Sequence, residues 1–227
     1  MKNFWRYIML VILLGGNLSV GKAQERFTSF TEPFISLKYK ATKNYTAQFH
    51  LGNRNYLYQD QNYTYKVQLL DLTHISTFIL AQKSELGVGA RYRIGNRFNL
   101  DAEEEFRFIQ FLKWRFPKTS FLQQRMQLEQ RIIKNIIKFR TRFALQVTLP
   151  IPNKSLLSMD FIKIITESLW QLSPINEPDL EQRLGCLPGW NIKSHLKLET
   201  GVQYRLKNYT QNIGHQLFAI LGVRVSI

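Results

Sequence analysis

A histidine and a serine two residues apart form the arrangement in this chain that most resembles a catalytic pair. In the segment His74–Ile75–Ser76 both side chains would lie on one face of an extended strand, because successive side chains alternate between faces. A histidine so placed can activate a serine as a nucleophile, and some small barrels that trim lipid acyl chains use such a pair. The sequence identifies neither an oxyanion donor nor a third carboxylate, although three glutamates follow at 103–105. We therefore predict that the protein is not an enzyme and keep His74 and Ser76 as weak catalytic candidates.

Metal and cofactor chemistry finds no support in the sequence. The four histidines are scattered along the chain and form no cluster with the spacing of metal ligands. No glycine-rich phosphate loop is present, and Gly87, Gly89 and Gly201 sit in strand-like segments, where we expect them to relieve crowding. We predict neither a metal nor a cofactor.

A basic polar face is the stronger functional candidate. In several segments arginine, lysine and glutamate occupy every second position, which would place them on the inner wall of a closed sheet. The predicted lumen-lining residues are Arg91, Arg93, Arg125, Glu129, Arg131, Lys138, Arg140, Arg142, Lys197, Glu199 and Arg205, with Glu85 as a further acidic partner. Such a wall would attract small anionic solutes. We favour a largely occluded structural or ligand-binding wall over a narrow, anion-favouring pore.

The elements that carry these residues are segments of about ten residues in which apolar and polar side chains alternate. Over residues 137–149 one face is almost wholly apolar, and Lys138, Arg140 and Arg142 lie on the other. A transmembrane β-strand needs about 9–11 tilted residues. A helix over 122–142 is the alternative, but a helical period would mix charged and apolar residues in one stripe. The pattern predicts an all-β protein, a single antiparallel up-and-down transmembrane β-barrel.

Eleven segments have the pattern of strands: 32–40, 45–58, 63–77, 84–94, 98–115, 121–133, 137–149, 156–170, 180–190, 194–206 and 213–227. Single-chain bacterial barrels have an even number of strands, with both termini on the periplasmic side. We therefore expect about 10–12 strands and narrowly favour 12, with a further strand in 25–31. Aromatic residues near the segment ends are expected to form girdles at the membrane interfaces. They are Tyr56, Tyr58, Trp114, Phe116, Trp170, Trp190, Tyr204 and Tyr209.

The beginning of the chain predicts an export signal. Two cations precede an apolar core of eight residues, and Gly21 and Ala23 supply small residues before Gln24. We expect cleavage after Ala23, which gives a signal peptide over 1–23 and a barrel over 24–227. No later stretch approaches 18 uninterrupted apolar residues. Two locations remain for such a chain, the periplasm and the outer membrane of a Gram-negative-type cell, and the alternation favours the outer membrane.

The chain is strongly basic, with 31 Lys and Arg against 16 Asp and Glu and a formal charge of +15. Loss of residues 1–23 removes three cations and no acid, which leaves +12 on the mature chain. A basic balance often indicates nucleic acid, but an exported barrel contacts outer-membrane lipids, so we expect no nucleic acid. Every second residue from Leu217 to Ile227 is apolar, which predicts that the barrel-assembly machinery recognises this last strand.

Several local patterns follow one another in a suggestive order. They are an early strand–turn–strand from 35 to 54, a glycine-and-arginine strand at 87–93, acid-then-basic strands at 105–107 and 125–131, and late segments at 181–185 and 198–205. In this order the chain resembles a family of small bacterial outer-membrane barrels of uncharacterised function (domain of unknown function 2490), over most of residues 28–227. The resemblance implies the barrel and supplies no catalytic or binding residues. Pro188–Gly189 departs from the family pattern, which argues against an unbroken strand at Trp190.

Overall fold

The structure, a computed structural model, describes residues 27–81, 83–95, 103–116, 119–134, 136–151, 158–174 and 177–227. These residues form eleven strands: β1 (Phe27–Tyr39), β2 (Tyr45–Gln59), β3 (Asn62–Ala81), β4 (Ser84–Gly95), β5 (Glu105–Phe116), β6 (Thr119–Ile133), β7 (Ile136–Pro150), β8 (Phe161–Leu172), β9 (Asp179–Lys193), β10 (Leu196–Lys207) and β11 (Gly214–Ser226). Each strand pairs with its neighbours in sequence, and β1 pairs with β11, so that the sheet closes. The predicted all-β barrel is confirmed. No helix in the described part of the chain is long and apolar enough to cross a membrane.

The number of strands lies within the expected range, but the described residues form eleven strands and not the favoured 12. Residues 27–31 extend β1 and do not form a strand of their own. Residues 25–26 and the proposed signal peptide at 1–23 lie outside the described residues. With an odd number of alternating strands the first and last point the same way, so β1 and β11 pair in parallel, from Phe27↔His215 to Lys38↔Ser226. We name this parallel pair the closing seam.

The closing seam also fixes the two ends of the barrel. We call the end at which β1 begins the first rim; there β2 connects to β3, β4 to β5, β6 to β7, β8 to β9 and β10 to β11. The other end, at which β11 finishes, is the second rim. The expectation that both ends of the barrel chain lie on one side is therefore wrong, because an odd number of crossings returns the chain to the opposite rim.

Strand β7 shows how the alternating sequence produces the wall. Ile137, Phe139 and Phe143 point outwards and are between 41% and 54% exposed, whereas Arg140 and Ala144 point inwards and are buried. The same division holds on the other strands, where large apolar side chains are exposed on the outer face and charged side chains are buried on the inner face. The period of two along each strand therefore separates an apolar exterior from a charged interior.

Inner phenylalanine rings lie over glycines of the neighbouring strand. The pairs are Phe34–Gly222, Phe111–Gly87 and Phe161–Gly189, each directly opposed in the ladder. A Cβ added at any of these glycines would come within 2.2 Å of the ring. The glycines thus make room for aromatic side chains that fill the interior, in keeping with the crowding expected at Gly87.

Strand β9 continues through Pro188 and past Trp190, contrary to the interruption expected from the sequence. The ladder between β9 and β10 skips the residues around Pro188, and such an irregular position is where a strand tolerates a proline, which has no N–H to donate. Gly201 on β10 lies in the same irregularity with φ 150°, and a Cβ there would be 2.1 Å from the Cys186 carbonyl oxygen. Glycine is therefore required at Gly201 both by its backbone angle and by the close approach of β9.

Candidate functional site

A continuous chain of ion pairs runs along the inner wall from β3 to β9, and we call it the arginine–carboxylate belt. Its successive pairs are Asp71–Arg93 (2.7 Å), Arg93–Glu105 (3.7 Å), Glu105–Arg107 (2.8 Å), Arg107–Glu129 (3.5 Å), Glu129–Arg142 (3.0 Å), Arg142–Glu167 (3.5 Å), Glu167–Arg183 (3.5 Å) and Arg183–Glu181 (2.7 Å). Every link joins side chains of adjacent strands or of one strand face. The belt therefore connects seven consecutive strands from inside the barrel.

The centre of the belt is closed to solvent. Arg107 and Glu129 are each 2% exposed, and Gln127 on the same strand as Glu129 donates a hydrogen bond to its carboxylate. A buried charge is costly unless it is paired and hydrogen-bonded, and removing one partner leaves the other uncompensated. The members of the belt therefore depend on one another for their burial.

The closing seam carries its own cluster. Phe30 on β1 and Phe218 on β11 oppose each other, with ring centroids 4.7 Å apart and exposures of 1% and 0%. The Arg205 guanidinium lies 3.6 Å from the centre of the Phe218 ring, and the Arg54 guanidinium lies 4.8 Å from it. Both arginines also donate to the Glu32 carboxylate, at 3.0 Å from Arg205 and 3.1 Å from Arg54. Four strands, β10, β11, β1 and β2, are thus held together around two stacked rings.

Cavities lined by the described residues lie towards each rim of the barrel, and a smaller one of about 190 Å³, lined in part by Ala144, Glu167 and Leu187, lies between them. The first-rim chamber has a volume of about 300 Å³, and among the described residues eleven Arg and Lys side chains and three carboxylates line it. The second-rim chamber has a volume of about 640 Å³ and is lined by six Arg and Lys side chains and three carboxylates of the described residues. Arg224 borders both chambers. The cationic excess is therefore concentrated towards the first rim.

The lumen residues predicted from the sequence fall into three places on the inner wall. The first-rim chamber is lined by Arg91, Arg93, Arg131, Arg140, Arg142 and Arg205. The second-rim chamber is lined by Arg125, Lys197 and Glu199, together with Glu85. Glu129 lies in the buried centre of the belt, and Lys138 is half-buried on β7 opposite Arg131 in the ladder. The two chambers and the belt thus contain ten of the eleven predicted residues, and Lys138 lies beside them.

Sequence reasoning missed many of the charges that complete this wall. They are Glu32, Arg54, Asp71, Glu105, Arg107, Glu167, Glu181 and Arg183. Their spacing carried a usable signal, because Glu105 and Arg107, like Glu181 and Arg183, are two residues apart and share a strand face. Their partners on other strands depend on the register of the sheet.

The structure places the weak catalytic candidates, His74 and Ser76, on the outer face of β3. The Ser76 hydroxyl lies 3.0 Å from the Tyr45 hydroxyl, and the His74 ring packs against Phe49 with centroids 4.8 Å apart. In the described part of the chain no hydrogen bond links His74 to Ser76. Glu105, one of the carboxylates near them in sequence, belongs to the inner belt. Within the described ranges no three His, Cys, Asp or Glu side chains are placed to hold a metal ion.

A closed sheet with an apolar outer face and a predominantly basic inner face defines a β-barrel protein with a charged lumen. Residues 33–216 match the sequence model of a family described as a protein of unknown function (DUF2490). The chain belongs to this family, and the resemblance seen in the order of its sequence motifs is confirmed. No curated protein and no solved structure matches the chain.

Proposed function

We propose that the protein is an integral outer-membrane β-barrel with a largely occluded, charged lumen. The observation that carries the proposal is the inverted distribution of side chains. Large apolar residues such as Phe139, Leu128 and Leu221 are about half exposed on the outer face, while charged residues such as Arg107 and Glu129 are buried inside. A water-soluble protein rarely exposes so continuous an apolar surface, whereas hydrocarbon requires one.

The dimensions of the wall support a membrane location. The strands contain 12 to 20 residues, more than the 9–11 or so needed to cross the hydrocarbon at a tilt. Aromatic residues lie towards both rims: Trp170 and Tyr204 near the first rim, and Trp114 and Trp190 near the second. Amphipathic rings favour the two interfaces of a bilayer. We further propose that residues 1–23 direct export and that the barrel-assembly machinery recognises β11.

Occlusion is supported by what fills the interior. Barrels of about eight strands are filled by side chains, and those of about sixteen enclose an aqueous channel. In this barrel of eleven described strands the belt and the seam rings, with exposures of 2% or less at Arg107, Glu129, Phe30 and Phe218, fill much of the lumen towards the first rim and divide the remaining space into separate cavities. The second candidate function is a narrow, anion-favouring pore, which the cationic lining and the shared wall at Arg224 favour.

Cell fractionation tests the location. We expect the mature protein in the outer membrane, beginning at Gln24, with a gel mobility that changes on heating because the folded barrel resists detergent. Recovery as a soluble periplasmic protein would end the outer-membrane proposal.

Conductance in planar bilayers separates the occluded barrel from the pore. An occluded lumen gives no steady current, whereas a narrow pore gives small, anion-selective steps. In a pore, neutralising Arg140 and Arg142 together should weaken the selectivity, because both lie on the inner face of β7. Part of that effect should fade near 1 M salt, where charges are screened beyond about 3 Å. Large cation-selective currents would contradict the occluded barrel and the anion-favouring pore alike.

A further inference from the structure

Two cations of the first-rim chamber lack carboxylate partners. Among the described residues, Arg140 on β7 and Lys207 at the end of β10 form no ion pair, although both line the chamber. Arg140 is only 9% exposed, and its Nε is buried without a hydrogen-bond partner. A buried guanidinium in this state is costly unless something else compensates its charge.

The partner that Arg140 does have is neutral. Its guanidinium donates to the Gln171 side-chain oxygen at 2.8 Å, and the Arg131 guanidinium donates to the same oxygen. Two cations therefore converge on one uncharged acceptor. An oxyanion at this point would accept hydrogen bonds from both guanidiniums and would also supply negative charge.

The carboxylates of the chamber are already committed to other cations. Glu181 accepts from Arg183 Nε at 2.7 Å, and Glu32 accepts from the two arginines of the closing seam. The third carboxylate, Glu167, has three arginine neighbours between 3.4 and 3.5 Å, one of which is Arg142. Among the described residues no carboxylate therefore lies within ion-pair distance of Arg140 or Lys207, although Lys207 is opposite Glu181 in the ladder.

We propose that the first-rim chamber is a binding site for a soluble phosphate group, either inorganic phosphate or a small phosphate monoester, held by Arg140 and Lys207 with Arg131. This inference rests on the proposed function, because only a largely occluded lumen would hold the anion in place. Two unpaired cations match the charge of about −1.5 to −2 on a phosphate group at pH 7. A volume of about 300 Å³ is at the lower end for small-molecule sites. We take the phosphate to be soluble and not that of a lipid, because the wall is closed by strand pairing all round and leaves no gap between strands through which acyl chains could reach the chamber from the outer face.

Calorimetric titration of the mature chain, folded in an uncharged maltoside detergent, tests the site with inorganic phosphate as the probe at constant ionic strength set by chloride. We expect saturable binding of one phosphate per chain. Arg140→Gln and Lys207→Gln should each weaken the affinity by about tenfold to a hundredfold, the value of a hydrogen bond from a charged donor. Neither substitution leaves a carboxylate unpaired, so both variants should fold, as the heat-modifiable mobility will show.

Lys38→Gln is the matched control, because Lys38 is a lysine of the inner wall that lines the second-rim chamber. It should leave phosphate binding unchanged, and phosphate should raise the urea midpoint of the native chain and of this control. Chloride binding as strong as phosphate, or equal weakening in all three variants, would overturn the site. If the protein lies in the outer membrane, does not conduct and does not bind phosphate, only this inference is refuted. A soluble protein would refute the proposed function instead.

Discussion

Replacement of Phe143 by arginine tests the facing of the barrel wall most directly. Phe143 is the eighth of fifteen residues of β7, points outwards and is 41% exposed. Seven residues at about 3.3 Å each, tilted by about 40°, put it about 18 Å from either rim along the barrel axis. That position is near the middle of an apolar band about 25 Å tall, where an arginine costs about 2–4 kcal/mol. The folding equilibrium should therefore shift by about thirtyfold to several hundredfold.

The measurement is a urea titration of folding into phospholipid vesicles, read by heat-modifiable gel mobility and by tryptophan fluorescence. Phe143→Leu is the first control, because it removes the ring and keeps an apolar side chain. Gln146→Arg is the second, since Gln146 lies on the inner face of the same strand and lines the larger chamber. Both controls should fold nearly as well as the native chain. Equal loss from Phe143→Arg and Gln146→Arg, or no loss from either, would refute the assignment of an outer face to lipid.

Three further predictions follow from the interior and the outer face. Glu129→Gln should destabilise the folded barrel by about 3–5 kcal/mol in the same titration, because it leaves buried arginines of the belt without their carboxylate. Glu103→Gln, in an exposed pair with a lysine, should cost less than about 1 kcal/mol, and similar losses would mean that the belt is not the stabilising unit. Gly87→Ala should cost about 1–3 kcal/mol by overpacking, since its Cβ would meet a ring at 2.0 Å, whereas Gly214→Ala, with nothing nearer than 3.9 Å, should be tolerated. The purified protein should release no fatty acid from phospholipid or lipopolysaccharide; release that Ser76→Ala abolishes would contradict the prediction that it is not an enzyme.

The strands were predictable because successive side chains of a strand point to opposite faces of the sheet, and this alternation is visible in any short stretch of sequence. The segment expected at 137–149 is β7 (Ile136–Pro150), and the one expected at 194–206 is β10 (Leu196–Lys207). The alternation alone predicts eleven strands, whereas the general rule that barrels have an even number favours 12. The rule failed because it assumes antiparallel closure, and the pairing of Phe30 with Phe218 leaves no local mark in the sequence.

The inner wall was only half predictable for a related reason. Alternation places Arg125 on an inner face, but its partner Glu167 is 42 residues away on a strand that is not its neighbour. The contact between Arg125 and Glu167 depends on the registers of the β6–β7 and β7–β8 ladders and on the curvature of the wall. The same limit applied to Ser76, whose partner Tyr45 lies across the ladder on β2. Sequence spacing identifies which residues share a face, and only the assembled sheet decides which of them meet.

Because of the closing seam, the barrel chain begins at one rim and ends at the other, which does not happen in an even-stranded barrel. Every other strand pairing joins consecutive segments, but β1 and β11 are the first and last strands of the described barrel and begin and end at opposite rims. In a membrane these rims would face two compartments. A label placed just before Phe27 and one placed just after Ser226 would then report on different sides of the bilayer. The seam would also close only after β11 has been delivered, whereas each antiparallel pairing needs only two consecutive strands.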